Sequence, residues 1–148
     1  MRLNFKAPPS RYVPRLWSAI AFLLLLLTSA ALFAGRTVAW MRWPTLLQHV
    51  PDFYTHVSNL SISFMLLAGI GYAWLQAGTG MRWVAILAGV IALANVVYEG
   101  FIPILNTPDW IDAWYGLAGT AAALLFLWLV HRHGLRERPA ATSTRTDP

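Results

Sequence analysis

The sequence predicts an all-α membrane protein: a four-transmembrane-helix bundle with both termini cytoplasmic and a short interfacial segment in the first outer loop. Three observations carry this. Four apolar runs each approach the length a helix needs to cross a bilayer core, about 20 residues or about 17 at the short end. Of the 148 residues, 57% are hydrophobic and 11% charged, where a soluble domain averages about 25% charged. The basic residues and the tryptophans are also sorted by side.

The runs place spans at about 16–35, 57–76, 81–98 and 111–130, so residues 16–130 form one transmembrane domain. An even number of spans puts both ends of the chain on one side. That side collects Arg2, Lys6, Arg11, Arg15, Arg82, Arg132, Arg136, Arg138 and Arg145, against Arg36 and Arg42 on the other. The excess of basic residues in cytoplasmic segments makes the first side cytoplasmic. Trp17, Trp74, Trp83 and Trp128 fall at inner ends of spans, and Trp40, Trp43, Trp110 and Trp114 at outer ends or loops, as an aromatic belt requires. The net charge of +5 therefore marks a membrane surface with anionic lipids, and not nucleic acid. With no cysteine, disulfides, thiolate zinc sites and dithiol redox chemistry are excluded.

Residues 1–15, with Pro8, Pro9 and Pro14, read as a basic, extended cytoplasmic arm. The first span, Leu16 to Gly35, follows a positive segment as a signal peptide would. Its apolar run is too long for a signal-peptide core and predicts a retained helix. Between Arg36 and Val50, Trp40, Trp43, Leu47 and Val50 recur at helical spacing, broken at Pro44. This reads as an interfacial segment on the outer leaflet. Pro51 and Asp52 suit the start of the second span. Gly78-Thr79-Gly80 is a tight inner turn, with Arg82 beside it. From His131 the chain is basic and then rich in Ala, Thr, Ser and Pro, so residues 131–148 read as a disordered cytoplasmic tail. His131 and His133 lie among arginines, which disfavour a cation there.

The polar residues of the spans are patterned. Asp52, His56, Asn59 and Ser63 are spaced 4, 3 and 4 apart, as are Ala88, Ala92, Asn95 and Glu99. Asp109, Asp112, Gly116, Gly119 and Ala123 follow at 3, 4, 3 and 4. Such spacing puts each set on one helix face. In each set the polar members lie toward the outer end. Polar groups facing lipid are costly, so the three faces should converge. The predicted outer pocket is lined by Asp52, His56, Asn59, Asn95, Glu99, Asp109 and Asp112, with Gly116 and Gly119 allowing close helix packing. The stretch Glu99 to Gly119 alone holds three of the six acidic residues.

The order Asp52-x-x-x-His56, then Glu99, a Pro-containing loop, Asp109-x-x-Asp112 and Gly119 resembles the VanZ-like family of small bacterial membrane proteins. The resemblance covers roughly Pro51 to Gly119. Where that family often has a Gln, an Arg and an Asn, this chain has Ile102, Asn106 and Gly116. Without that Arg, no phosphate-binding role is carried over. The resemblance implies a cell-envelope role in a bacterial inner membrane.

Two functional classes follow. One is a binding protein whose outer pocket takes a lipid head group, a lipid-linked envelope precursor or a partner membrane protein. The alternative is a membrane-embedded enzyme acting on a lipid-linked substrate by carboxylate/His acid–base or metal-assisted chemistry. Close carboxylates push one another's protonation upward, and oxygen ligands with His56 or His49 suit a hard cation. No HExxH motif, Walker loop or Ser/His/Asp order is present, and the sequence assigns no cofactor. A transport path would need polar groups at the midplane, where the runs are apolar.

Overall fold

The computed structural model describes residues 10–101 and 109–139. Its helices are α1, Leu16–Ala34; α2, Pro44–His49; α3, Phe53–Ala77; α4, Met81–Phe101; and α5, Trp110–Leu129. A short strand β1, Tyr12–Pro14, precedes them, and β2, Leu135–Glu137, follows a π-helical turn at Val130–Gly134. Four of these helices are long and apolar enough to cross a membrane, which marks a multi-pass membrane protein. They match the four predicted spans. The second begins earlier than predicted, at Phe53, because a polar first turn bearing Thr55 and His56 belongs to the helix without adding hydrophobicity.

α3 and α5 form the centre, and α5 also packs along α4. The core joins Phe64, Leu67, Tyr72 and Leu75 of α3 to Val84 and Ile91 of α4 and to Phe126 and Leu127 of α5. α1 leans on this core through Phe22, which stacks on Tyr72 with centroids 4.1 Å apart and planes 4° from parallel. The opposite side of α1, including Leu23, Leu24 and Leu27, is exposed. An apolar face without a protein partner is what a lipid-facing helix presents.

Two close approaches set the spacing of α3 and α5. A Cβ on Gly71 would meet the Leu127 side chain, and one on Gly119 would meet the backbone carbonyl of Leu60. α3 ends at Gly78, whose φ of 94° is left-handed. There Thr79 N–H donates to Trp74 O at 2.9 Å and Gly78 N–H to Leu75 O at 3.1 Å, which closes the carbonyls of the last turn.

The loop after α1 contains a 3-10 turn at Ala39–Met41 and then α2, in which Pro44 opens a helix instead of breaking one. A proline at the first helical position loses no hydrogen bond. Arg42 ties the loop down, with Nε donating to Gly35 O at 2.8 Å and Nη2 to Arg36 O at 3.0 Å. Trp43 N–H donates to the Tyr54 hydroxyl at 2.9 Å.

The end of the bundle opposite the start of α3 corrects the expectation of a tail disordered from His131. Residues 131–139 are ordered: β2 pairs antiparallel with β1, Tyr12 opposite Glu137 and Pro14 opposite Leu135. Ser18 Oγ donates to Gly134 O at 2.7 Å, and Arg15 N–H donates to the same oxygen at 2.7 Å. A Cβ on Gly134 would press on Ser18, so the glycine permits this junction. The expectations for residues 1–9, for the loop at 102–108 and for residues 140–148 lie outside the described residues.

Candidate functional site

The polar residues of α3 form a ladder. His56, Asn59 and Ser63 lie on one face, and each bonds to a different neighbour on α4 or α5. At the outermost rung, His56 Nδ1 lies 2.8 Å from Asp112 Oδ1 and 3.7 Å from Asp109 Oδ2. At the next, Asn59 Nδ2 donates to Glu99 Oε1 at 2.8 Å. At the deepest, Asn95 Nδ2 donates to Ser63 Oγ at 2.9 Å and to Ile91 O at 2.9 Å.

The local sequence explains each position. Asp109 caps α5, its Oδ1 accepting from Ile111 N–H at 2.8 Å, which satisfies a first-turn donor and starts the helix in this register. Asp112 is then one turn in, facing α3. Gly116 follows opposite Asn95, where a Cβ would overlap the Asn95 amide, and Gly119 follows opposite Leu60. The two glycines let α5 lie close enough to α3 and α4 for Asp112 to reach His56.

Burial differs between rungs. The His56 and Asp112 side chains are each 14% exposed and that of Asp109 is 36% exposed, so the outer rung meets solvent at one edge. Glu99 is 3% exposed. Its Oε1 has the Asn59 amide, but Oε2 is buried and has no partner among the described residues. A carboxylate has room for about four hydrogen bonds, and a buried unpaired acceptor costs about 1–3 kcal/mol. This atom is the least satisfied point of the ladder.

The predicted cluster is thus two sites in sequence. His56, Asp109 and Asp112 meet directly. Glu99 does not bond to His56 and joins the ladder through Asn59, one turn deeper. Asn95 lies deeper still. Asp52 makes none of these bonds: it precedes the first turn of α3, with φ −91° and ψ 10°, and is exposed. The four-residue spacing to His56 aligns two side chains only when both are helical. The Asp52 carboxylate makes no hydrogen bond among the described residues, and its backbone carbonyl accepts from Thr55 Oγ1 at 2.6 Å. His49 Nδ1 lies 2.9 Å from Thr45 O within α2, away from the ladder.

Two aromatic residues were missed by sequence reasoning. Tyr115 packs on His56 with centroids 5.5 Å apart and on Phe53 at 5.8 Å. Tyr98 lines a cleft with Glu99. The signal for Tyr115 was its place one turn after Asp112. Nothing in the sequence separated Tyr98 from a lipid-facing tyrosine.

Chemically, a neutral His56 donates Nδ1–H to Asp112, which fixes that tautomer and leaves Nε2 as the acceptor. A charged His56 instead faces two carboxylates. The ligand atoms of His56, Asp109 and Asp112 lie within 4.8 Å of one another. They offer one nitrogen and two carboxylate oxygens, fewer than the six to eight oxygens that a hard cation such as calcium takes. No family model matches the chain, and no curated protein or solved structure matches it.

Proposed function

We propose that this chain is a bacterial inner-membrane protein with both termini cytoplasmic and its polar ladder opening toward the outer leaflet, where it binds a lipid head group or a lipid-linked envelope precursor. The observation that carries the reading is the concentration of buried, mutually bonded polar side chains at one end of an otherwise apolar bundle. Polar groups inside a membrane are costly and mark function. His56, Asn59, Glu99 and Asp112 are drawn from three helices, so the site exists only when the bundle is assembled. The charge distribution supports the orientation. Arg11, Arg15, Arg132, Arg136 and Arg138 surround the β1–β2 ribbon at the other end, and basic residues favour the cytoplasmic side. Membership of the VanZ-like family is part of the same proposal and rests on Asp52, His56, Glu99, Asp112 and Gly119.

The test is complementation. In a strain lacking the protein, sensitivity to envelope-directed antibiotics is measured after supplying wild type, His56→Ala or Asp112→Asn. Loss of complementation by both variants at normal membrane levels supports the site. Full complementation by both removes it.

The His56–Asp112 bond favours one second reading. A carboxylate that orients an imidazole through Nδ1 prepares Nε2 as a general base. On that reading the protein is an enzyme acting on a lipid-linked substrate, and Asp112→Asn retains binding while turnover of a labelled lipid is lost. Equal loss of binding and turnover removes the catalytic role.

A further inference from the structure

Glu99, which carries the least satisfied atom of the ladder among the described residues, lines a separate opening. Between α3 and α4 lies a cleft of about 280 Å³. Asn59, Asn95 and Glu99 give it polar groups, and Ile62, Leu66 and Tyr98 supply apolar walls. Those three wall residues are exposed on the outside of the bundle. They belong to membrane-crossing helices, so the cleft opens sideways toward lipid, below the His56 rung. At about 30 Å³ per liquid water, the volume suits a head-group fragment and not an oligosaccharide.

We propose that this cleft takes the polar end of a bilayer amphiphile through a hydrogen-bond donor, a hydroxyl or an amine, which Glu99 Oε2 accepts. This rests on the reading above in taking a membrane lipid as the ligand, and it names the chemistry. A carboxylate oxygen accepts and does not donate. The described residues lining the cleft include no lysine, arginine or histidine, so none of them compensates a phosphate. Asn59 already occupies Oε1 from within the protein. The remaining oxygen is buried, lacks a partner among the described residues and belongs to a residue lining the cleft. The Ile62 and Leu66 wall continues along α3 away from the His56 end, which gives an acyl or isoprenoid chain its apolar track. A ligand with an apolar chain and one donor satisfies both surfaces. A soluble anion satisfies neither.

The experiment uses the full-length protein in detergent, titrated with lipids of matched acyl chains and read by native mass spectrometry. Diacylglycerol offers a hydroxyl, phosphatidylethanolamine an amine, and phosphatidylcholine no head-group donor. Wild type should retain a donor lipid at least about tenfold more tightly than phosphatidylcholine, the effect of one hydrogen bond to a charged group. Phosphatidylethanolamine against phosphatidylcholine reads the donor at constant phosphate, and diacylglycerol shows whether a hydroxyl suffices without one. Glu99→Gln puts an amide N–H where the acceptor was and should abolish the preference. Ala94→Trp fills the cleft from its exposed wall while leaving the Glu99 carboxylate in the chain, and should also abolish it. It keeps the test decisive where Glu99→Gln folds poorly. Equal retention of the three lipids, or a preference that survives either substitution, overturns the proposal. The two readings fail separately: unaltered antibiotic sensitivity in the His56 and Asp112 variants removes the head-group reading, and the lipid titration alone decides the donor assignment.

Discussion

Gly119→Ala should be the most informative single substitution, because one methyl group bears on both the packing and the site. The new Cβ would lie 2.9 Å from the Leu60 carbonyl carbon and 3.0 Å from its Cα, and closer still to the oxygen. Ordinary carbon contacts settle at about 3.5–4.0 Å, so α3 and α5 must separate by on the order of 1 Å. Backbone cannot rotate away as a side chain can. Overpacking of this kind costs about 1–3 kcal/mol. Asp112 lies two turns from Gly119, about 10 Å along the helix axis. A separation on the order of 1 Å there carries the 2.8 Å His56–Asp112 contact beyond the about 3.2 Å limit of a good hydrogen bond. Hydrogen bonds within membrane proteins average about 0.6 kcal/mol, so the total loss is about 2–4 kcal/mol. The assay is reversible unfolding in mixed micelles, with Gly69→Ala as the control, since a Cβ there meets nothing within 4 Å. Gly69→Ala should be as stable as wild type or up to about 1 kcal/mol more stable, because alanine loses less backbone freedom than glycine in a helix. If Gly119→Ala matches Gly69→Ala, the contact does not set the helix spacing and the account of how Asp112 reaches His56 fails.

Two further outcomes test the ladder and the ribbon. In a double-mutant cycle, Asn59→Ala and Glu99→Ala should show a coupling of about 0.5–2 kcal/mol, the range for directly bonded partners, and a coupling of zero removes that rung. Ser18→Ala removes the hydroxyl that donates at 2.7 Å to Gly134 O and lies 2.9 Å from Arg15 O; it should cost about 1 kcal/mol and speed amide exchange at Arg136 and Arg138, whereas unchanged exchange shows that the ribbon holds without it.

What the sequence could show here divides along a physical line. The four spans were legible because hydropathy and length are local properties, each read from one run without knowing its neighbours. Helix faces were legible for the same reason: His56, Asn59 and Ser63 share a side by spacing alone. Partners were not. Periodicity places Glu99 and Asp112 on inward faces of α4 and α5, but it does not give the depth at which each meets α3. The sequence therefore pooled His56, Glu99 and Asp112 into one pocket, while the structure gives Asp112 to His56 and Glu99 to Asn59. That depth is set by close approach to the Asn95 side chain at Gly116 and to the Leu60 backbone at Gly119, and a glycine in a sequence does not say what it lies against. The β1–β2 ribbon was hidden more completely. Its two strands are three residues each, too short for a pattern, and they pair across the whole length of the bundle's chain. The division also explains why the unpartnered Oε2 of Glu99 is the most telling atom in the molecule. A sequence can nominate a buried acid, but only the assembled helices show that, among the described residues, one of its oxygens has been supplied from within and the other has not.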